Sequence, residues 1–151
     1  MYLSKSSFLD VVKNTPLVSI DLLVRNSNKD VLLGRRVNEP AKQFWFVPGG
    51  RILKDEALED AFSRTVKNEL GLVLDKSKSR FYGLYEHFYE NNVFNDDFST
   101  HYIVLAHELS LSAVPELNQQ HSEYRWFNIE ALLNNENVHK YTKDYFRKKT
   151  I

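Results

Sequence analysis

The stretch leading into Leu72 constrains this chain more than any other: the glycine pair Gly49-Gly50 runs within a few residues into a helix carrying acids and an arginine at fixed intervals. Leu58, Phe62, Val66 and Leu70 recur every four residues, and Ala61 shares their face. That spacing predicts a helix over residues 56–70 that buries one side against a core. Asp55 is placed to cap its start and Gly71 to end it. A helix N-terminus offers unpaired amides, and glycines let a phosphate or a metal ion approach the backbone. Glu69 falls on the last turn, where an exposed carboxylate is a hard oxygen ligand suited to Mg2+. Glu56 and Arg64 stand eight residues apart, about 80° around an ideal helix, so an ion pair between them would tie the loop to the helix.

The flanking sequence alternates between strand and helix signals. A short helix around Phe8 to Lys13 stops before Pro16. The apolar run from Leu17 to Arg25 predicts a buried strand, closed by Asn26-Ser27-Asn28, with Asp30 to Arg35 as its hairpin partner. Phe44 to Val47 reads as a further short strand, ended by Pro48. Residues 81–89 and 101–109 predict two strands joined by a polar loop. Tyr124 to Phe127 forms a late strand, and residues 129–133 and 141–149 form closing helices. This order predicts an α/β fold, a mixed β-sheet covered by helices, in a single domain spanning residues 1–151.

The formal charge balance narrows the partners. Lys+Arg and Asp+Glu both number 20, which argues against a nucleic-acid or membrane binder, since those need a basic excess on one face. A small anionic ligand needs only a few local cations. Cysteine is absent, so thiolate metal sites, disulfides and a Cys nucleophile are excluded. No apolar stretch follows Met1, so a cytoplasmic location is the default expectation.

The segment resembles the Nudix box, G-x5-E-x7-R-E-U-x-E-E-x-G-U, with U a bulky aliphatic. Gly50, Glu56, Arg64, Val66, Glu69, Gly71 and Leu72 match at the required spacing. The resemblance implies a Nudix-type α/β/α sandwich whose loop and helix hold a diphosphate through a divalent metal. Thr65 and Asn68 depart from the pattern, standing where most members carry metal-binding glutamates. Their loss lowers the negative charge and implies one Mg2+ per subunit, with Mn2+ as a possible substitute. The whole chain is similar to the branch of the family that hydrolyses GDP-mannose. The similarity runs through Thr15 to Ser19, Phe46 to Arg51, His101 to Leu105, Gln120-His121 and Tyr124 to Trp126. That branch cleaves the C–O bond at the anomeric carbon with inversion, releases GDP and sugar, and forms homodimers.

The resemblance implies roles for individual residues. Glu69, Gln120 and the backbone near Gly49 are expected to hold the metal ion. His121, in a polar segment that reads as a mobile loop, is expected to be the general base, because imidazole titrates near neutral pH. Arg36, Arg51 and Arg64 are candidates for the diphosphate, since guanidinium forks fit phosphate oxygens. Tyr102 is a candidate donor to the leaving oxygen. Asp21 and His87 are candidates for sugar hydroxyls, although a buried Asp21 needs a polar partner in any case. Phe8 and Tyr2 are candidates to stack on guanine. His101, His107 and His139 read as structural.

Two other functions compete. A pyrophosphohydrolase would split the diphosphate into GMP and sugar phosphate, and a degenerate box would leave a nucleotide-sugar binding module without turnover. The missing acids speak against the first. Retention of Glu69 with the Gln120-His121 pair speaks against the second.

Overall fold

The computed structural model describes residues 2–39, 41–92, 97–112 and 121–147, with backbone alone at 121 and 122. Its centre is the strand β1 (Leu17–Arg25), nearly all of it buried. Two periodicities explain that burial. Ile20, Leu22 and Val24 face one side, where Ala61, Phe62, Val66 and Leu70 of helix α2 (Leu58–Leu70) close a core. Leu23 faces the other, against Val31 and Leu33 of β2 (Val31–Arg36), Leu132 of α3 (Ile129–Asn134) and Tyr145, just after α4 (Lys140–Asp144). Fully burying one such side chain contributes about 1.5–3 kcal/mol. The result is the expected α/β sandwich about a mixed sheet.

The sheet has seven strands. The neighbours of β1 differ from the simple hairpin the sequence suggests. It lies parallel to β6 (Thr100–Ser110) over its whole length, and β2 meets it only at Arg25↔Val31. The main partner of β2 is β7 (His121–Phe127), antiparallel from Val31↔Phe127 to Arg36↔His121. The short β3 (Trp45–Phe46) borders β2, and β5 (Arg80–Tyr89) borders β6 at the far edge. Helix α1 (Lys5–Asn14) begins at Ser4, whose hydroxyl accepts the Ser7 N–H.

Three local expectations change. Residues Gly49–Arg51 form a strand, β4, paired with Ser19, Ile20 and Asp21 of β1. The box helix starts at Leu58 with Ala57 as its cap, while Asp55 takes a positive φ of 63° and caps nothing. Glu56 instead closes the turn that precedes the helix: its carboxylate accepts the Leu53 N–H at 3.0 Å and its own N–H reaches the Leu53 carbonyl at 3.2 Å. Leu58 is 43% exposed, so the core stripe begins one turn later, at Ala61 and Phe62. The C-terminus behaves as expected: Gly71 is left-handed (φ 67°) and its N–H reaches the Lys67 carbonyl. Of the segment 118–123, expected as a mobile loop, residues 121–123 open β7, and residues 118–120 lie outside the described residues. The last helix, expected over residues 141–149, ends at Asp144 in α4, with Tyr145 as its C-cap, and residues 148 and 149 lie outside the described residues.

Candidate active site

Alternation along the strands brings the chemistry to one place. Ser19 and Asp21 share a face of β1, and the registers Leu17↔Tyr102 and His87↔Tyr102 bring Tyr102 and His87 to the same face. On its other side β1 carries β4, with Gly49 opposite Asp21 and Arg51 opposite Ser19. These groups and the glycine-proximal side of α2 enclose a cavity of about 640 Å³. Ten expected site residues line it: Tyr2, Phe8, Asp21, Arg36, Gly49, Arg51, Arg64, Glu69, His87 and Tyr102. Gln120 lies outside the described residues, and for His121 only the strand position is described.

The box residues are tied together as their spacing predicts. Arg64 donates to Glu56 through Nε at 2.7 Å and Nη2 at 2.9 Å, and Nη2 also reaches the Arg51 carbonyl at 2.7 Å. Those bonds hold the Glu56 carboxyl below its ordinary range. Arg64 is therefore a brace for the loop as well as part of the cavity wall. Glu69 is not the exposed carboxylate expected: it is 4% exposed, and its Oε1 accepts the Gly49 N–H at 3.1 Å. Its carbonyl accepts the Tyr124 hydroxyl at 3.0 Å, so both ends of the residue are fixed. The Arg51 guanidinium lies over the Phe8 ring, 4.8 Å from its centroid.

Gly49 is a glycine for steric reasons. A Cβ there would stand 2.3 Å from Asp21 Oδ1 and 2.7 Å from the Ile20 carbonyl oxygen. The Gly49→Ala variant is expected to lose about 1–3 kcal/mol of stability, as overpacked sites do. A thermal melt should show a drop of about 2–4 °C per kcal/mol for a chain this size. An unchanged melting temperature would mean that Asp21 swings aside at no cost.

Asp21 is buried, and a side chain holds its carboxyl. The Tyr145 hydroxyl donates to its Oδ2 at 2.5 Å. Burial pushes the Asp21 carboxyl up to about 7, with Tyr145 and Arg36 pulling it back and Glu69 adding to the rise. His87 is 3% exposed, stacks on Tyr141 at 4.4 Å, and is pushed down to about 4 by burial and by His139. Burial also raises the Tyr102 hydroxyl above its ordinary value, so it remains a donor at neutral pH. Tyr145 and Tyr141 come from the far end of the chain, and no sequence signal connects them with Asp21 or His87. The three histidines read as structural pack on aromatic rings, His101 on Phe88, His107 on Phe62 and His139 on Phe46.

Asp21 and His87 make opposite contributions to stability. In the fold Asp21 keeps a proton up to about pH 7, whereas an unfolded Asp loses it near 3.8. That contribution is complete below the lower value and is lost as pH rises between the two. Folded His87 stays neutral down to about pH 4, whereas unfolded His takes a proton near 6.5. Its contribution is complete above the higher value and is lost as pH falls between the two. The slopes largely cancel in the wild type. In metal-free buffer the Asp21→Asn variant is expected to expose the histidine slope. From pH 7 to pH 4 its unfolding free energy should fall, relative to wild type, by roughly 3–4 kcal/mol. Denaturant titrations measure this, and parallel curves would show that Asp21 is ionised in the fold.

Among the described residues no group of three His, Asp or Glu side chains could hold a metal ion. The oxygen-bearing groups at the helix end of the cavity that could hold a metal ion are the Glu69 carboxylate and the Gly49 backbone, with Thr65 beside them. Thr65 Oγ1 is buried without a hydrogen-bond partner. A single carboxylate among oxygen groups does not make an all-protein cage. It fits Mg2+, which keeps several waters and takes further ligands from substrate phosphates.

The chain matches the NUDIX domain family over residues 15–148. It is 40% identical to the low-salt glycan biosynthesis protein Agl8 of Haloferax volcanii over 136 residues, which are 89% of this chain and 83% of that protein. The crystal structure of a MutT protein from Methanosarcina mazei Go1 superposes with a TM-score of 0.71 at 25% identity, covering 88% of this chain and 92% of that one. The Nudix domain of Shewanella oneidensis NrtR, solved with ADP ribose, superposes at 0.63 with 17% identity, over 95% and 96% of the two chains. No helix among the described residues is long and apolar enough to cross a membrane. Fold, box geometry and these matches together make the chain a member of the Nudix family of hydrolases.

Proposed function

We propose that this hydrolase cleaves a nucleoside-diphosphate sugar, GDP-mannose first among candidates, at the anomeric carbon to release GDP and free sugar. The observation that carries the reading is the polarity of the cavity. Arg36, Arg51 and Arg64 line it together with Asp21 and His87, so cationic forks for a diphosphate share one pocket with groups suited to hydroxyls. The box supports the choice of bond. Attack at phosphorus in this family leans on several metal-binding acids, and Thr65 and Asn68 stand at two of those positions. The glycan-biosynthesis name of the Haloferax relative is consistent with a sugar substrate.

The residues divide the work as follows. Arg51 and Arg64 hold the diphosphate, with Arg51 steadied on Phe8. Tyr2 and Phe8 line the cavity on the side of the N-terminal helix and are suited to stack on the base. Arg36 and Tyr102 meet the oxygen that leaves the sugar, one as a charge and the other as a protonated donor. Asp21 and His87 bind sugar hydroxyls. His121 takes the proton of the attacking water on the opposite face of the sugar ring, as inversion requires. A divalent ion held by Glu69, the Gly49 backbone and Gln120 would supply Lewis-acid neutralisation of the departing diphosphate. The same proposal includes a homodimer, for which Phe81, Leu84 and Phe88 on the edge strand β5, each more than half exposed, offer an apolar surface.

Incubation with a panel of nucleotide sugars and Mg2+ tests the reading, with products separated by chromatography. GDP and free sugar are expected, with label from isotopic water in the sugar. GMP with sugar phosphate would move the reaction to phosphorus, and saturable binding without product would leave a binding module.

A further inference from the structure

The cavity wall at Asp21 is backed by a residue that the cavity does not touch. Tyr145 lies just past α4, 124 residues along the chain, and its hydroxyl donates to Asp21 Oδ2 at 2.5 Å. It is 2% exposed and stands behind Asp21, outside the cavity lining. The residue is held at two points. Its backbone carbonyl accepts the Tyr82 hydroxyl at 2.6 Å, and its ring makes a T-shaped contact with that of Tyr85 at 4.6 Å and 86°. The same hydroxyl is 3.4 Å from Nε2 of His87. Oδ1 of Asp21 lies over Gly49, where the absence of a side chain leaves it room.

We infer that Tyr145 is a positioning residue that sets the Asp21 carboxyl for recognition of the sugar; this rests on the nucleotide-sugar reading above. A short carboxylate on a strand has two free torsions, and without a partner at Oδ2 it would sample several rotamers. With Oδ2 held, Oδ1 is the atom directed to a ligand hydroxyl. Tyr141 does the matching work on the other side. Its ring stacks on His87 at an interplanar angle of 6°, and its hydroxyl both accepts the Phe88 N–H at 2.9 Å and donates to the Phe88 carbonyl at 2.7 Å. The C-terminal segment thus sets the orientation of both sugar-binding candidates without entering the cavity.

The test compares wild type, Tyr145→Phe, Asp21→Asn and the double variant. The Phe ring keeps the packing and removes only the hydroxyl. For the nucleotide sugar, Tyr145→Phe is expected to raise KM about 10–100-fold, as loss of an orienting second partner does elsewhere, with a smaller change in kcat. The inhibition constant of GDP, which lacks the sugar, should stay at the wild-type value. The double variant should be no worse than Asp21→Asn alone, because Tyr145 acts through Asp21. Wild-type KM in Tyr145→Phe, or a loss that multiplies with that of Asp21→Asn, would overturn the inference. A parallel loss of GDP affinity would also overturn it, by showing a general structural role. Should Tyr145→Phe fold poorly, proton NMR of the wild type decides: a slowly exchanging Tyr145 hydroxyl that disappears in Asp21→Asn supports the contact, and its absence removes it. The two readings fail separately. If wild type yields GMP and sugar phosphate, the bond assignment falls, whereas a raised KM in Tyr145→Phe with unchanged GDP affinity still supports its role toward the sugar.

Discussion

Glu69→Gln is expected to slow turnover about 10³-fold, a barrier change of roughly 4 kcal/mol, while leaving the fold intact. The substitution is close to isosteric, and the amide oxygen can still accept the Gly49 N–H that Glu69 Oε1 now accepts at 3.1 Å. The Tyr124 hydroxyl bonds the backbone carbonyl of residue 69 and is indifferent to the side chain. What disappears is one negative charge at the buried helix end of the cavity. Charge of that kind is what a divalent cation needs and a neutral amide supplies poorly, and cation stabilisation of a departing diphosphate is worth several kcal/mol. The effect should therefore appear both in kcat/KM and as a weaker response to added Mg2+, with circular dichroism and the melting temperature near wild type. Full activity at ordinary Mg2+ would remove Glu69 from the metal site. A matched loss in melting temperature would move it to a structural role, as the strut between β4 and α2.

Which parts of this arrangement could be read from residues alone follows from the range of the forces involved. Local periodicity reports burial, so α2 and β1 are legible from Phe62, Val66 and Leu70 and from the unbroken apolar run of β1. The Glu56–Arg64 pair is legible because both ends sit at a fixed separation across one short segment. Ten of the twelve candidate residues line one cavity, and for those outside the box the resemblance, not the spacing, made the choice. The misses have separate causes. Strand β4 consists largely of glycine, which carries no β signal, and forms because β1 offers it an edge. Asp55 looks like a cap until Glu56 turns back on Leu53. The parallel pairing of β1 with β6 and the reach of Tyr145 to Asp21 are long-range contacts, and nothing near either residue encodes them.

His121→Gln carries the other large expected effect, a fall in kcat of about 10²–10⁴-fold with metal and GDP binding unchanged. The base must be a group in or beside this pocket that accepts a proton from water near neutral pH. His87 and His139 are both pushed down to about 4, which makes them weak bases. Asp21 is the rival, since its carboxyl is pushed up to about 7 and it lines the cavity. Its Oδ2 is already committed to Tyr145, however, and it stands on the central strand at the cavity wall. Position 121 begins β7, and its register partner is Arg36, itself part of the cavity wall and just beyond a bulge in β2. That pairing brings the chain at residue 121 beside the pocket from a different strand. The pH dependence of kcat separates the two bases. With His121 as base, the acid limb of the wild-type profile should vanish in His121→Gln and persist in Asp21→Asn. The reverse pattern would assign the proton to Asp21. An acid limb unchanged in both variants would leave neither as the base and would turn the search to the segment before residue 121.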